Sequence, residues 1–277
     1  MEYYLSILPT SFIATLAFVF GVIIGSFLNV YIYRLHTGKS LLGSSHCLSC
    51  GTPLRFFELF PLLSYVLLWG RCRTCHSYIP SRYFLVELLT GVLFVAVTLT
   101  VSDLFTLFIL LAAVSVLVVI AVYDLYHMII PDELTFALLI LVLTNQFYEL
   151  ALGMPVTTFV WNIAAALLGS LFLILLWRFS EGKWIGFGDV KLIIPLAIGV
   201  GYTNVFSLVV LAFWIGAAIG LLILGVQKLK SRGQPHLRFL PARLTMKSAV
   251  PFAPFLILSF LAIIFFGIDV ISLLSYA

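Results

Sequence analysis

The sequence predicts an all-α polytopic membrane protein, with about eight transmembrane helices and one small cytoplasmic loop module. Three observations predict it. Hydrophobic residues make up 63% of the 277 residues and charged residues only 9%, where a soluble domain carries about 25% charge. Mean hydropathy is +1.20, so lipid has to serve as part of the solvent. All 15 Lys and Arg fall in three short segments.

The elements follow in order. Residues 1–11 hold Glu2 and no Lys or Arg, so the positive start of a cleaved signal peptide is missing and the first apolar run is expected to stay. That run, Phe12 to Tyr33, has 22 residues, enough for a core that needs about 20 residues of helix. Further runs are expected as spans near 83–101, 104–123, 134–151, 157–177, 190–203, 204–227 and 249–268. The sixth, at 14 residues, reads as a half-span or as a helix that begins below the bilayer surface.

Charge sets the orientation. Lys and Arg lie in 34–82, 178–191 and 228–247 and nowhere else. With the N-terminus outside, eight spans put all three segments on the cytoplasmic side, and the opposite side carries no Lys or Arg. Both termini are then periplasmic. The segment 228–247 reads as a basic surface loop beside anionic lipid.

The segment 34–82 holds all four cysteines, as Cys47-x-x-Cys50 and Cys72-x-x-Cys75 with 21 residues between the pairs. Each C-x-x-C forms a tight knuckle with two thiolates, and two knuckles complete a tetrahedral Zn2+ site. A disulfide pairing is disfavoured in the reducing cytoplasm, a redox pair needs no twin, and inert cysteines would not share this spacing. Four protein ligands leave no open position, so the metal is expected to be structural. His46 and His76 flank the cysteines and read as surface histidines, either able to replace one ligand. Arg71 and Arg73 would offset part of the site's negative charge.

Ionisable groups at membrane depth are costly and point to function. Asp103, Glu149 and Asp269 fall at outer ends of spans, where a solvated charge is ordinary. Asp132 follows Pro131 and reads as a helix N-cap. Asp124 ends the third run in Val122-Tyr123-Asp124, at the cytoplasmic boundary. Asp189 ends Gly186-Phe187-Gly188-Asp189 and opens the sixth run at the same level, either as a cap or as a second functional carboxylate. Gly186 and Gly188 lack Cβ atoms, which lets another backbone or a substrate strand come close.

These motifs together resemble the bacterial type IV prepilin peptidases/N-methyltransferases, GxGD-type intramembrane aspartyl proteases. The resemblance rests on Tyr123-Asp124, Ile130-Pro131-Asp132, Gly186 through Lys191 and the double C-x-x-C loop. It extends to Gly25-Ser26-Phe27-Leu28-Asn29-Val30, Tyr33-Arg34-Leu35, Gly70-Arg71-Cys72, Arg82-Tyr83 through Leu89, and Pro251 through Leu256. Ala253 stands where the family usually has Gly, His36 where Pro often stands, and Leu59 where Asn is common.

The resemblance implies that Asp124 and Asp189 are the catalytic pair of an aspartic endopeptidase, with Gly186 and Gly188 in its active-site loop. Two adjacent carboxylates share a proton and activate one water. It implies prepilin or type II secretion pseudopilin substrates, cut at the cytoplasmic boundary of the bacterial inner membrane, and no nucleic-acid partner. It also implies N-methylation of the new N-terminus with S-adenosylmethionine, associated with the cysteine loop, where Gly70, Arg71 and Glu58 are the candidate residues. Residues 1–33 then form the first span, 34–82 the zinc loop and 83–277 the peptidase core. Two alternatives stay open: a presenilin or signal-peptide-peptidase type of protease, expected to show Pro-Ala-Leu near its last span and no zinc loop, and an ion-coupled transporter or scaffold using paired aspartates.

Overall fold

The computed structural model describes residues 9–37, 40, 43, 45–230 and 250–275. Residues 1–8, Lys39 and most of the basic segment expected at 228–247 lie outside the described residues. Among the described residues no strand forms; pairing is limited to two isolated bridges, His46 with Pro53 and Arg71 with Tyr78.

The helices are α1 (Thr10–Arg34), α2 (Leu63–Leu67), α3 (Arg82–Thr100), α4 (Leu104–His127), α5 (Asp132–Ala151), α6 (Val156–Phe179), α7 (Phe187–Val200), α8 (Val205–Lys230), α9 (Ala253–Phe266) and α10 (Val270–Ser275). Every expected span coincides with a helix, and six helices are long and apolar enough to cross a membrane. The other two, α7 and α9, have 14 residues each. At 1.5 Å per residue that is about 21 Å, short of a hydrocarbon core of about 30 Å. The eighth helix is expected over 249–268 and is shorter because Pro251 and Pro254 hold its start at Ala253: proline removes a helical donor and fits best in the first turn.

The chain divides into two compact units, Met1–Val119 and Ile120–Ala277, with the boundary inside α4. In the first, α1 packs along α3. The approach is set by glycine: a Cβ at Gly21 would lie 2.8 Å from Phe94 and from the Thr90 carbonyl, and one at Gly25 would lie 2.8 Å from the Glu87 backbone. Gly21 and Gly25 form a small-xxx-small pair, the pattern that lets helices touch in a membrane. Asn29 donates from Nδ2 to the Tyr83 carbonyl at 3.0 Å across the same interface.

In the second unit α7 is the central element, packed on α5, α6, α8 and α9. Asp189, Val190, Leu192, Ile193, Leu196, Ala197, Ile198 and Val200 are all buried. A helix apolar on every side belongs inside protein. That accounts for its length, since a helix sheathed by others does not itself have to match the lipid. Polar side chains pin it. Ser170 donates to the Val190 carbonyl at 3.0 Å and Gln146 to the Ile198 carbonyl at 3.4 Å, while Asn162 joins the Gln146 side chain (3.1 Å) to the Tyr202 N–H (2.9 Å) just past the helix end.

Candidate active site and metal centre

Asp124 lies in the last turn of α4 and Asp189 in the first turn of α7. Both are only 5% exposed, although each is an acid at the end of an apolar helix. Asp189 Oδ2 accepts the Gly186 N–H at 3.1 Å. The Ala253 N–H, at the start of α9, is directed at the Asp124 carboxyl. Each carboxylate therefore meets a helix N-terminus, where free N–H groups and the helix dipole favour negative charge. The Asp124 carboxyl also acts electrostatically on Asp189. One oxygen of each, Asp124 Oδ2 and Asp189 Oδ1, is buried and accepts no hydrogen bond from a described residue. Buried acceptors are almost always satisfied, so two orphan oxygens in one electrostatically coupled pair mark a place for a shared proton or a reactant.

The two glycines have separate reasons. A Cβ at Gly188 would lie 3.0 Å from Ile130, so this glycine seats the start of α7 against the turn before α5. A Cβ at Gly186 would lie 3.3 Å from Asp189 Oδ2 and would crowd the carboxyl itself.

Asp132 does not behave as the expected cap. It is the first residue of α5, whose N-cap position is Pro131, and no side chain caps the helix. Its carboxylate instead takes Lys191 Nζ at 2.6 and 2.8 Å, tying α5 to α7 two residues beyond Asp189. Asp269, expected as a solvated charge, accepts the Ser207 hydroxyl at 2.7 Å and the Ile271 N–H at 3.0 Å, and these hold its carboxyl below the usual range.

The cysteine loop is two copies of one turn. Cys47 and Cys72 each close a loop with their own N–H and C=O: to the Thr52 carbonyl and Gly51 N–H in the first, to the Ser77 carbonyl and His76 N–H in the second, all at 2.9 Å. The residue after each second cysteine is left-handed, Gly51 at φ 70° and His76 at φ 55°. His76 is thus a turn residue in the place of glycine. The four Sγ atoms lie within 4.8 Å of one another, and Cys47 and Cys75 are 3.8 Å apart. A tetrahedron with Zn–S bonds of about 2.3 Å has S···S edges of about 3.8 Å. The residues fit zinc with cysteine ligands alone, and neither histidine belongs to the cluster. The turn amides of Cys50 and Ser49 pull the Cys47 thiol down to about 6 and the Ser77 hydroxyl lowers Cys75, which favours the thiolate a metal needs, while burial and the neighbouring Cys47 and Cys75 side chains push the Cys72 thiol up.

The three methyl-transfer candidates are placed differently. Glu58 accepts the Arg55 N–H at 2.7 Å and lines a cavity of about 520 Å³ in the first unit. Gly70 has φ 65° and lies under the Tyr65 ring, which a Cβ would meet at 2.9 Å. Arg71 stacks on Tyr78, 4.5 Å from the ring centroid, and donates to its hydroxyl at 2.7 Å. Gly70 and Arg71 are not among the cavity's lining residues.

Comparison with known proteins gives two family matches, the bacterial peptidase A24 N-terminal domain over residues 19–101 and the type IV leader peptidase family over residues 111–221. A prepilin leader peptidase/N-methyltransferase of Burkholderia pseudomallei (strain 1026b) is 30% identical over 292 residues, covering 94% of this chain and 87% of that protein. The chain belongs to the type IV leader peptidase family. Proteins of the same name in Bacillus subtilis (strain 168) and Myxococcus xanthus (strain DK1622) are 27% and 34% identical. The alignment spans 93% of this chain and 96% of the former, and 76% of this chain and 63% of the latter. No solved structure matches the chain. This member of the family is a multi-pass membrane protein, and Asp124, Asp189, Gly186 and Gly188 fall inside the second family match.

The Ala253 N–H is the participant that residue chemistry alone would not name, because a backbone donor carries no side-chain label. Its signal is Pro251-Phe252-Ala253-Pro254, a proline-marked helix start at which the Ala253 N–H, in the first turn, has no acceptor within the helix.

Proposed function

We propose that this chain cleaves the leader of prepilins or pseudopilins with Asp124 and Asp189 and then N-methylates the new N-terminus. The observation that carries the cleavage reading is the buried pair with one orphan oxygen on each carboxyl. One ionised carboxylate takes a proton from a water as it attacks the scissile carbonyl. The protonated partner hydrogen-bonds the developing oxyanion and then protonates the leaving amine. Gly186 and Ala253 supply N–H groups that hold the carboxylates in place, and Gly188 lets α7 seat against Ile130.

Orientation follows the positive charge, with 34–82 and the aspartates at the cytoplasmic boundary of the inner membrane and both termini periplasmic. A basic leader would wait in the cytoplasm and its apolar helix in the bilayer, so the scissile bond would sit at the boundary. Cys47, Cys50, Cys72 and Cys75 would hold a structural zinc that cross-links the two knuckles. S-adenosylmethionine, when bound, supplies the methyl group.

The test is a cleavage assay on a model prepilin in membranes, with mass spectrometry of the product N-terminus. Wild type should give a cut, methylated product. Asp124→Asn and Asp189→Asn should give uncut substrate at normal protein levels. Normal cutting by either variant would remove that residue from the mechanism.

A further inference from the structure

We infer that the cavity of the first unit is the methyl-donor site, and that Glu87 is the side chain that reads the donor's positive charge. The inference rests on the N-methyltransferase reading above and adds a location and a recognition residue to it.

The cavity, about 520 Å³, falls inside the roughly 300–1,000 Å³ typical of small-molecule sites. Its walls include Tyr33, Tyr65 and Tyr83, the carboxylates Glu58 and Glu87, and the cations Arg34 and Arg73. The tyrosines offer faces for a planar base, the two carboxylates offer negative charge to a cation, and the two arginines offer positive charge to an amino-acid carboxylate. This is the complement of a ligand with an aromatic base at one end and a cationic amino-acid sulfonium at the other.

Glu87 is the informative member. It lies in the second turn of α3 and is only 8% exposed. Oε2 accepts the Leu62 N–H at 2.8 Å, and the Ser26 hydroxyl reaches the same carboxyl. Both donors are neutral. Glu87 takes no part in the Lys183–Glu181 or Lys191–Asp132 ion pairs, and no described Lys, Arg or His forms an ion pair with it. A buried carboxylate without a cation is costly, and it retains acceptor positions beyond the two in use. A cation arriving in the cavity would supply the missing partner. That cation belongs to the donor rather than to the pilin, because an amine must be neutral to attack a methyl group. The donor's sulfonium, by contrast, is a fixed positive charge that no proton transfer removes before the methyl group leaves.

The experiment uses the full chain, zinc-loaded and in nanodiscs. S-adenosylmethionine and 5′-methylthioadenosine, which shares the adenosine but carries no charge, are titrated by calorimetry into wild type, Glu87→Gln and Glu87→Asp. Glu87→Gln should weaken S-adenosylmethionine about tenfold or more, the loss expected for one charged hydrogen-bonded contact, and leave methylthioadenosine unchanged. Glu87→Asp should recover part of the loss. Zinc content and the thermal transition check that each variant is folded. Hydroxyl-radical footprinting of wild type asks the same question without mutation: S-adenosylmethionine should protect Tyr33, Tyr65 and Tyr83 and leave Tyr126 and Tyr202 as they were. Binding by wild type with full affinity in Glu87→Gln, equal losses for both ligands, or protection outside the cavity would overturn the inference and leave the methyltransferase reading standing. No binding of S-adenosylmethionine to wild type would remove both.

Discussion

Residues 45–80 and the core around α7 hold their polar groups in contrasting ways. The four cysteines are presented by two short turns, with Cys50 and Cys75 exposed and only Cys72 buried. Few apolar side chains support them: Phe56, Phe57, Leu67 and Trp69 are all more than 70% exposed. With the proposed zinc bound, the order of this loop would come from its thiolates. Asp124 and Asp189 are instead presented by helix ends, and α7 is held by Leu192, Ile193, Leu196 and Ala197, each no more than 1% exposed. On the proposed reading one site would be made by ligation, while the other is made by packing. Ligation energy at such a metal site is folding energy, whereas packed spans keep their backbone bonds within each helix. The two sites should therefore fail separately.

The largest effect should come from the packed site. Asp124→Asn or Asp189→Asn should lower single-turnover cleavage by about 10²–10⁴-fold, the usual worth of a general acid or base, with insertion unchanged. A variant that cleaves like wild type would break the comparison at its strongest point. Next is metal. Purified chain should carry about one zinc, and Cys47→Ser with Cys50→Ser should lose it while the helical circular dichroism of the spans persists. Zinc retained by that double variant would exclude the four-cysteine site.

Gly188 sharpens the comparison further. Gly188→Val should cost about 1–3 kcal/mol through overpacking against Ile130, read as a lower unfolding temperature and slower cleavage. Ile130→Ala in the same chain should return part of both; no recovery would mean that the contact is not the cause. The smallest effect is expected at Asp132. The pair with Lys191 is partly exposed, its side chains 38% (Lys191) and 70% (Asp132) accessible, so Asp132→Asn should cost at most about 1 kcal/mol and shrink further in high salt. Complete loss of cleavage in Asp132→Asn would give Asp132 a direct part in the chemistry.

The helices and the cysteine site were legible because both rest on local signals: apolar run length for one, two repeated C-x-x-C turns for the other. What stayed hidden depends on residues far apart in sequence. Lys191 and Asp132 are 59 positions apart, and no positional rule pairs them, so Asp132 reads as a cap from its place after Pro131. The Ala253 N–H meets Asp124 from a helix that begins far downstream. The sixth run shows its length but not its surroundings, and only packing reveals α7 as a sheathed central helix. His76 reads as a neighbour of ligands because its left-handed backbone carries no sequence mark.

The most direct test of this division is mass spectrometry of the pilin N-terminus with two variants on two substrates. Cys72→Ser on a full-length prepilin should give a cut product without the methyl group. Asp189→Asn should leave the prepilin uncut, yet methylate a pilin supplied already cleaved. Loss of cutting in Cys72→Ser as complete as in Asp189→Asn, with the protein still inserted, would contradict the account.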